Sequence, residues 1–286
     1  MPNYELELSP TNTPTEGGEG SLDTSLLDGN SIQRTGYITT VDGNGNTKTL
    51  NLKDGTAFNS TTQGLGDVLG ITKTTGDNYI FVNNDFVDYV EGSTNTSYEA
   101  NNLIAMFDES GIVYKKFTDI DGTTFSFLDN MDKLIIPELE NGDLLPSLTS
   151  DARNAITDFV NGGGTLIMFY PDSGDVIDFL NELFGWSLNT NGASEPIDIT
   201  EAGAILFPNE SATLPALDAT DSLDTNTLPV NSVSIYNGDG GNQTVVAKMP
   251  YGDGFVYFLG WDWYDAQPVG SQDGGWNHLL RSILNS

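Results

Sequence analysis

The chain contains no cysteine and a single histidine, His278. The first absence removes disulfides, zinc–thiolate sites and every cysteine nucleophile together. The second means that a serine–histidine catalytic pair would have to be built on His278. Basic residues are scarce too: ten Lys and Arg stand against 41 Asp and Glu, a formal charge of −31 over 286 residues. A surface of that sign repels phosphate backbones and anionic headgroups, so nucleic acid and membrane surfaces are not expected partners, whereas cations are. No run approaches the roughly 18 apolar residues of a membrane span, so membrane insertion is not expected. Met1 to Gly20 are polar and acidic, without the apolar stretch of a classical secretory signal.

What is present is enough for a core: 37% hydrophobic residues, including 14 Phe and 11 Tyr, among 32 glycines. A chain of this length holds one large domain and a smaller one. Two environments explain the acidity, a salt-rich cytoplasm or export without a cleaved leader. The bias toward Asp, Asn, Gly and Thr over Glu, with large apolar residues retained, favours an extracellular or cell-surface protein. A high-salt cytoplasm is the alternative.

Along the chain three regions separate. Residues 1–30 are rich in turn formers and read as a flexible acidic arm. Within it Tyr4-Glu-Leu-Glu-Leu8 alternates, and would become a strand against the sheet edge of a neighbouring subunit. Residues 31–76 read as a small β-module, with Gly36–Val41 and Lys48–Leu52 flanking the turn Asp42-Gly-Asn-Gly-Asn46 as a hairpin. The Asp42, Asn44, Asn46 spacing echoes the start of a calcium loop, but Thr47 replaces the glycine such a loop needs at its sixth position. From residue 77 to 286 strands and helices alternate. Tyr79–Val82, Ile112–Phe117, Lys133–Ile136 and Thr165–Tyr170 are apolar strands. Helices are expected over 97–108, from the Thr149 cap to Val160, and over 175–184, with a hairpin at 233–247, a last strand at 255–259 and a closing helix at 275–284. This alternation implies a mostly parallel sheet flanked by helices, an α/β fold.

Three segments carry a resemblance: Asp132-Lys-Leu-Ile-Ile-Pro-Glu-Leu139, Ala155-Ile-Thr-Asp-Phe-Val-Asn-Gly-Gly-Gly-Thr-Leu-Ile167 and Gly254-Phe-Val-Tyr-Phe-Leu-Gly-Trp-Asp262. Together they resemble the class I glutamine amidotransferase-like superfamily over residues 77–286. The resemblance implies a nucleophilic cysteine just after Tyr170 and a histidine partner after a late strand. Here Pro171-Asp-Ser-Gly174 and Gly260-Trp-Asp-Trp263 stand in those places, so the domain is expected to be a degenerate relative without that catalysis. Ser173 with His278 would need a nucleophile elbow, of which Tyr170-Pro-Asp-Ser-Gly174 supplies only the second half.

Two groups of residues remain as candidate sites. The expected carboxyl ends of the strands carry Asp85, Glu138, Glu140, Asp172 and Asp262. Converging carboxylates repel unless a cation or protonation neutralises them, and calcium tolerates irregular oxygen ligands. Asp85, Glu138, Asp172 and Asp262 are thus candidate metal ligands. Trp261, Trp263 and Tyr264 form an aromatic cluster around an acid, a way to stack a sugar ring, or else to close the core under the last helix. The leading expectation is a non-catalytic secreted or surface structural or binding protein, self-assembling through its arm and binding calcium or a glycan. A metal-dependent hydrolase acting on a polysaccharide through the acidic rim is the second reading, and a salt-adapted cytoplasmic protein the third.

Overall fold

A computed structural model describes residues 5–10, 36–41, 47–52, 77–120, 131–169, 175–266 and 273–286. The chain divides into two units, Met1–Thr75 and Gly76–Ser286. In the first, β1 (Glu5–Pro10), β2 (Gly36–Val41) and β3 (Thr47–Leu52) form an antiparallel sheet in that order. β2 and β3 are the expected hairpin. β1 corrects an expectation: it pairs with β2 of its own chain, Glu5 opposite Val41 and Pro10 opposite Gly36. An alternating segment needs only a free edge, and the side of β2 away from β3 supplies one. The rest of the expected arm, and the Asp42–Asn46 turn, lie outside the described residues.

The second unit runs β4 (Asp77–Phe81), α1 (Glu99–Glu109), β5 (Tyr114–Phe117), β6 (Met131–Ile136), α2 (Ser150–Asn161), β7 (Thr165–Phe169), α3 (Asp175–Phe184) and β8 (Ile197–Ile199). It continues through α4 (Glu201–Leu206), β9 (Thr213–Leu214), β10 (Leu223–Asp224), β11 (Val233–Asn237), β12 (Gln243–Tyr251), β13 (Gly254–Leu259) and α5 (Trp276–Leu284). Ten strands make one mixed sheet, ordered β5-β4-β6-β7-β13-β12-β11-β8-β9, with β10 paired to β12. The first five are parallel. Beyond β13 the sheet turns antiparallel. The reason is the connections: β12 and β13 are joined by the tight turn at Gly252–Asp253, too short for the crossover that a parallel pair requires. The α/β class is as expected, and the sheet is less uniformly parallel than strand–helix alternation alone suggests.

Local chemistry explains the elements. In β7, Leu166, Ile167, Met168 and Phe169 are all buried, as in a strand covered on both faces. Thr149 caps α2, its hydroxyl accepting from the Ala152 N–H at 3.1 Å. Gly162 to Gly164 then end that helix and lead directly into β7. The start of β13 presses on this turn: a Cβ at Gly254 would meet the backbone carbonyl oxygens of Val160 and Gly164. Gly254→Ala must therefore shift backbone. We expect it to lower stability by about 2 kcal/mol or more, read as a lower urea midpoint; an unchanged midpoint would show that the close approach is not structural.

Candidate acidic cleft

The parallel strands point their carboxyl ends toward one edge, where open α/β sheets place ligands. Glu138 lies just beyond β6 and Asp262 just beyond β13, while Asp88 lies in the connection from β4 and Glu99 opens α1. Asparagines lock that connection. Asn101 donates to the Val90 carbonyl and accepts from the Val90 N–H, both at 2.8 Å. Asn102, fully buried, donates to the carbonyls of Thr96 and Trp263 at 2.7 and 2.8 Å, tying the start of α1 to the segment after β13. Thr96 and Asp265 add a hydroxyl–carboxylate bond of 2.5 Å and a backbone bond of 2.8 Å across the same seam.

The segment after β13 turns sharply, with Trp263 at φ +73° and Asp265 at φ +52°. Three tryptophans hold it there. Trp261 and Trp263 stack with centroids 4.7 Å apart, and Trp276 of α5 packs against both. Trp263 Nε1 donates to Asn277 at 2.8 Å. A further loop, 216–221, closes the opposite wall. Asp221 N–H donates to the Gly260 carbonyl at 2.8 Å, so close that a Cβ on Gly260 would strike the Asp221 carbonyl. Glycine is required there by that approach.

Between these walls lies a cleft of about 570 Å³. Glu99, Glu138, Glu140, Asp218, Asp221 and Asp262 line it, with Thr220, Tyr264 and the apolar Ala193, Ala216, Leu217 and Ala219, and no basic side chain. Three of these acids are nearly dry: Glu99 is 6% exposed, Glu138 4% and Asp262 6%. Burial, then the charges of Asp88 and Glu138, push the Glu99 carboxyl up to about 9. Burial likewise raises Asp262 to about 7, with a hydrogen bond from Glu138 and one from the Tyr264 N–H, 2.8 Å long, working in the opposite direction. Asp88 is raised by burial and held down by the Glu99 carboxyl and by Asn141. Glu99 and Asp88 are thus close enough to share a proton, yet Glu99 Oε2 is buried with no hydrogen-bond partner. The cluster stays buried because protons act as its counter-ions.

The expected site residues separate. Glu138 and Asp262 meet in the cleft, joined by Glu140. Asp85 is exposed and does not line it. Asp172 and Ser173 lie outside the described residues. Of the four candidate metal ligands Glu138 and Asp262 share the cleft and Asp85 does not line it, and among the described residues no group of three or more His, Asp or Glu is placed to hold a metal ion. Trp261 and Trp263 have no exposed surface and offer no face to a sugar; they are core, and only Tyr264 reaches the cleft. The expected ligand role for the pair is corrected because the tight turn after β13 folds both rings inward under α5. His278 sits on α5 with its Nδ1 2.7 Å from the buried Glu210 carboxylate, away from the cleft lining. Glu99 and Asp88 were not singled out from the sequence. A signal exists for Glu99: it stands on the same helical face as Leu103 and Met106, an acid in an apolar stripe.

No protein-family model and no curated protein matches the chain. Solved structures give distant likenesses. A ThuA-like protein from Bacteroides uniformis superposes with a TM-score of 0.48 at 15% identity, over 73% of this chain and 89% of that one. A cytoplasmic protein from Salmonella typhimurium LT2 gives 0.49 at 13%, over 73% and 97%. An exo-β-1,4-mannosidase from an Opitutaceae bacterium gives 0.46 at 13%, over 72% of this chain but 35% of the enzyme. At such values none of them speaks to what this chain does.

The buried acids fix a pH dependence. The folded carboxyls of Glu99 and Asp262 titrate far above their ordinary values of 4.5 and 3.8, so the folded state holds protons that the unfolded chain releases. Their contribution is intact below the unfolded values and is lost as pH rises, through about 7 for Asp262 and about 9 for Glu99. Stability should fall by roughly 1.4 kcal/mol per pH unit for each proton so held. In Glu99→Gln the fall should be shallower and the alkaline urea midpoint higher than in the wild type; identical pH profiles would show that Glu99 is not held protonated.

Proposed function

We propose that this chain is a non-catalytic binding protein whose α/β unit, laid out like a glutamine amidotransferase-like domain, takes a small hydrogen-bond-donating ligand in the acidic cleft. The observation that carries this is Glu99 Oε2, a buried acceptor without a partner in a residue that lines the cleft. Such an atom is costly unless something completes it, by about 1–3 kcal/mol. Thr220 Oγ1, in the facing loop, is unpartnered as well. A volume of about 570 Å³ falls within the range of small-molecule sites. Saccharides and organic amines both bring donors; an anion does not suit a lining of six acids and no base. Calcium, expected from the strand-end acids, has no support in the arrangement of the described residues.

One observation favours a second reading. Two carboxyls in one cleft, at about 9 and about 7, form the unequal acid pair that glycoside hydrolysis uses, one to donate a proton and one to take it. It replaces the metal-dependent hydrolase with a metal-free one.

A thermal-shift and calorimetric panel of neutral oligosaccharides, amines and dicarboxylates separates these. We expect at least one donor-bearing compound, and no dicarboxylate, to raise the melting temperature, and Glu99→Gln to weaken its binding at least tenfold, about 1.4 kcal/mol. Dicarboxylates binding as well as the others would sink the binding reading. Sustained hydrolysis of an aryl glycoside, lost in Glu99→Gln, would establish the second.

A further inference from the structure

We infer that the ligand of this cleft is a primary alkylamine, its ammonium group set among the carboxyls of Glu99, Glu138 and Asp262 and its methylene chain lying along the apolar wall. This names the ligand class for the cleft taken above as the binding site, and it stands on the cleft's geometry and charge.

Charge in the cleft is of one sign. The charged side chains that act on Glu99 or line its cleft are all acids. Asp88 comes from the connection after β4, Glu138 from the end of β6 and Asp262 from the end of β13. Asp218 and Asp221 face them from the opposite loop. A neutral polyol would satisfy hydrogen bonds but leave this charge to be suppressed by bound protons alone. An ammonium group supplies three donors and a positive charge at once. It would convert carboxyl groups now held neutral into carboxylates, so its binding must release protons. Burial works in the same direction, since a charge pair in a dry cleft is screened far less than one in water.

The shape of the acid array suits an ammonium group better than a metal ion. The carboxyls are buried together, yet no three among the described residues are placed to coordinate one metal ion. Calcium demands six to eight oxygens at about 2.3–2.6 Å. An ammonium group is less exacting: it reaches acceptors at about 2.7–2.9 Å and needs only three. Glu99 Oε2 is such an acceptor, buried and unpartnered. On the facing wall Ala193, Ala216, Leu217 and Ala219 line the same cleft. That strip has no use for a hydroxyl-covered ligand and suits a run of methylenes.

The test is titration calorimetry of the full chain with diaminobutane, using butanediol as a neutral isostere. About 0.3 M sodium chloride shortens the Debye length to roughly 5 Å and suppresses diffuse attraction to the acidic surface. We expect saturable binding of one equivalent, with a heat that changes with the ionisation enthalpy of the buffer because protons leave. Glu99→Gln is nearly isosteric with the protonated acid and should fold, which circular dichroism checks; Asp262→Asn is the second variant. Each should weaken binding at least tenfold, whereas Asp253→Asn, which removes an exposed acid in the β12–β13 turn, should change it less than twofold. No saturable binding, or equal weakening by all three variants, overturns the amine. If butanediol or a saccharide binds instead and senses Glu99→Gln, the amine is wrong and the cleft stands as a binding site. If no compound senses Glu99→Gln, both fall.

Discussion

Glu138 and Asp262 arrive from two strand ends and Glu99 from the first turn of α1; each is at most 6% exposed, with no cation among the residues that line their cleft. A lone buried carboxylate is so unfavourable that such groups neutralise instead of remaining charged. Here the neutralising agent is the proton, and that requirement reaches through the rest of the unit. Burial raises Asp88 while its hydrogen bond with Glu99 works the other way, and Asp262 accepts from Glu138, so the acids are coupled in pairs. A sequence under selection for stability alone would fill such a space with apolar side chains. An acidic cluster kept dry is the kind of local departure that accompanies a binding or catalytic site.

Packing makes the arrangement rigid. The stack of Trp261 and Trp263 is closed by Trp276 from α5 and by Phe169 from β7, the last in edge contact with Trp263 at 5.1 Å. These rings fix the path of the backbone on either side of Asp262. Asn102 then joins that path to the start of α1 through the Trp263 carbonyl, which sets Glu99 against Asp262. The aromatic residues and the acids are therefore successive layers of one construction: a hydrophobic floor, a polar clamp, and the carboxyls above. Loop 216–221, fastened to Gly260 by Asp221, supplies the wall that makes the edge of the sheet a cleft.

Much of the α/β unit is legible in the sequence, because its signals are local. The Thr149 cap, the Gly162–Gly164 stop and the apolar runs of β6, β7 and β13 each announce an element and its ends. The antiparallel extension is less legible. Two-residue strands such as β9 and β10 carry no period, and their place follows from pairing, not from pattern. Of the site, Glu138 and Asp262 were visible as acids at strand ends. Asp85 has the same address yet is exposed, since strand ends fix an edge of the sheet and not which way a side chain turns. Asp218 and Asp221 reach the cleft through a loop whose position depends on the Gly260 contact, a long-range fact that no short segment encodes. Glu99 was readable in principle, as an acid at helical spacing from Leu103 and Met106, but an acid in a first turn is also what the helix dipole favours, and that reading hides it.

The account depends on carboxyl groups that keep their protons at neutral pH. Infrared spectroscopy tests this directly, because at that pH surface acids are ionised and the carbonyl stretch of a protonated carboxyl stands apart from the carboxylate bands. A protonated-carboxyl band should be present in the wild-type protein, shift on exchange into deuterium oxide, and lose intensity in Glu99→Gln. A spectrum with carboxylate bands only would mean that the cleft acids are ionised and solvated, and would contradict the account.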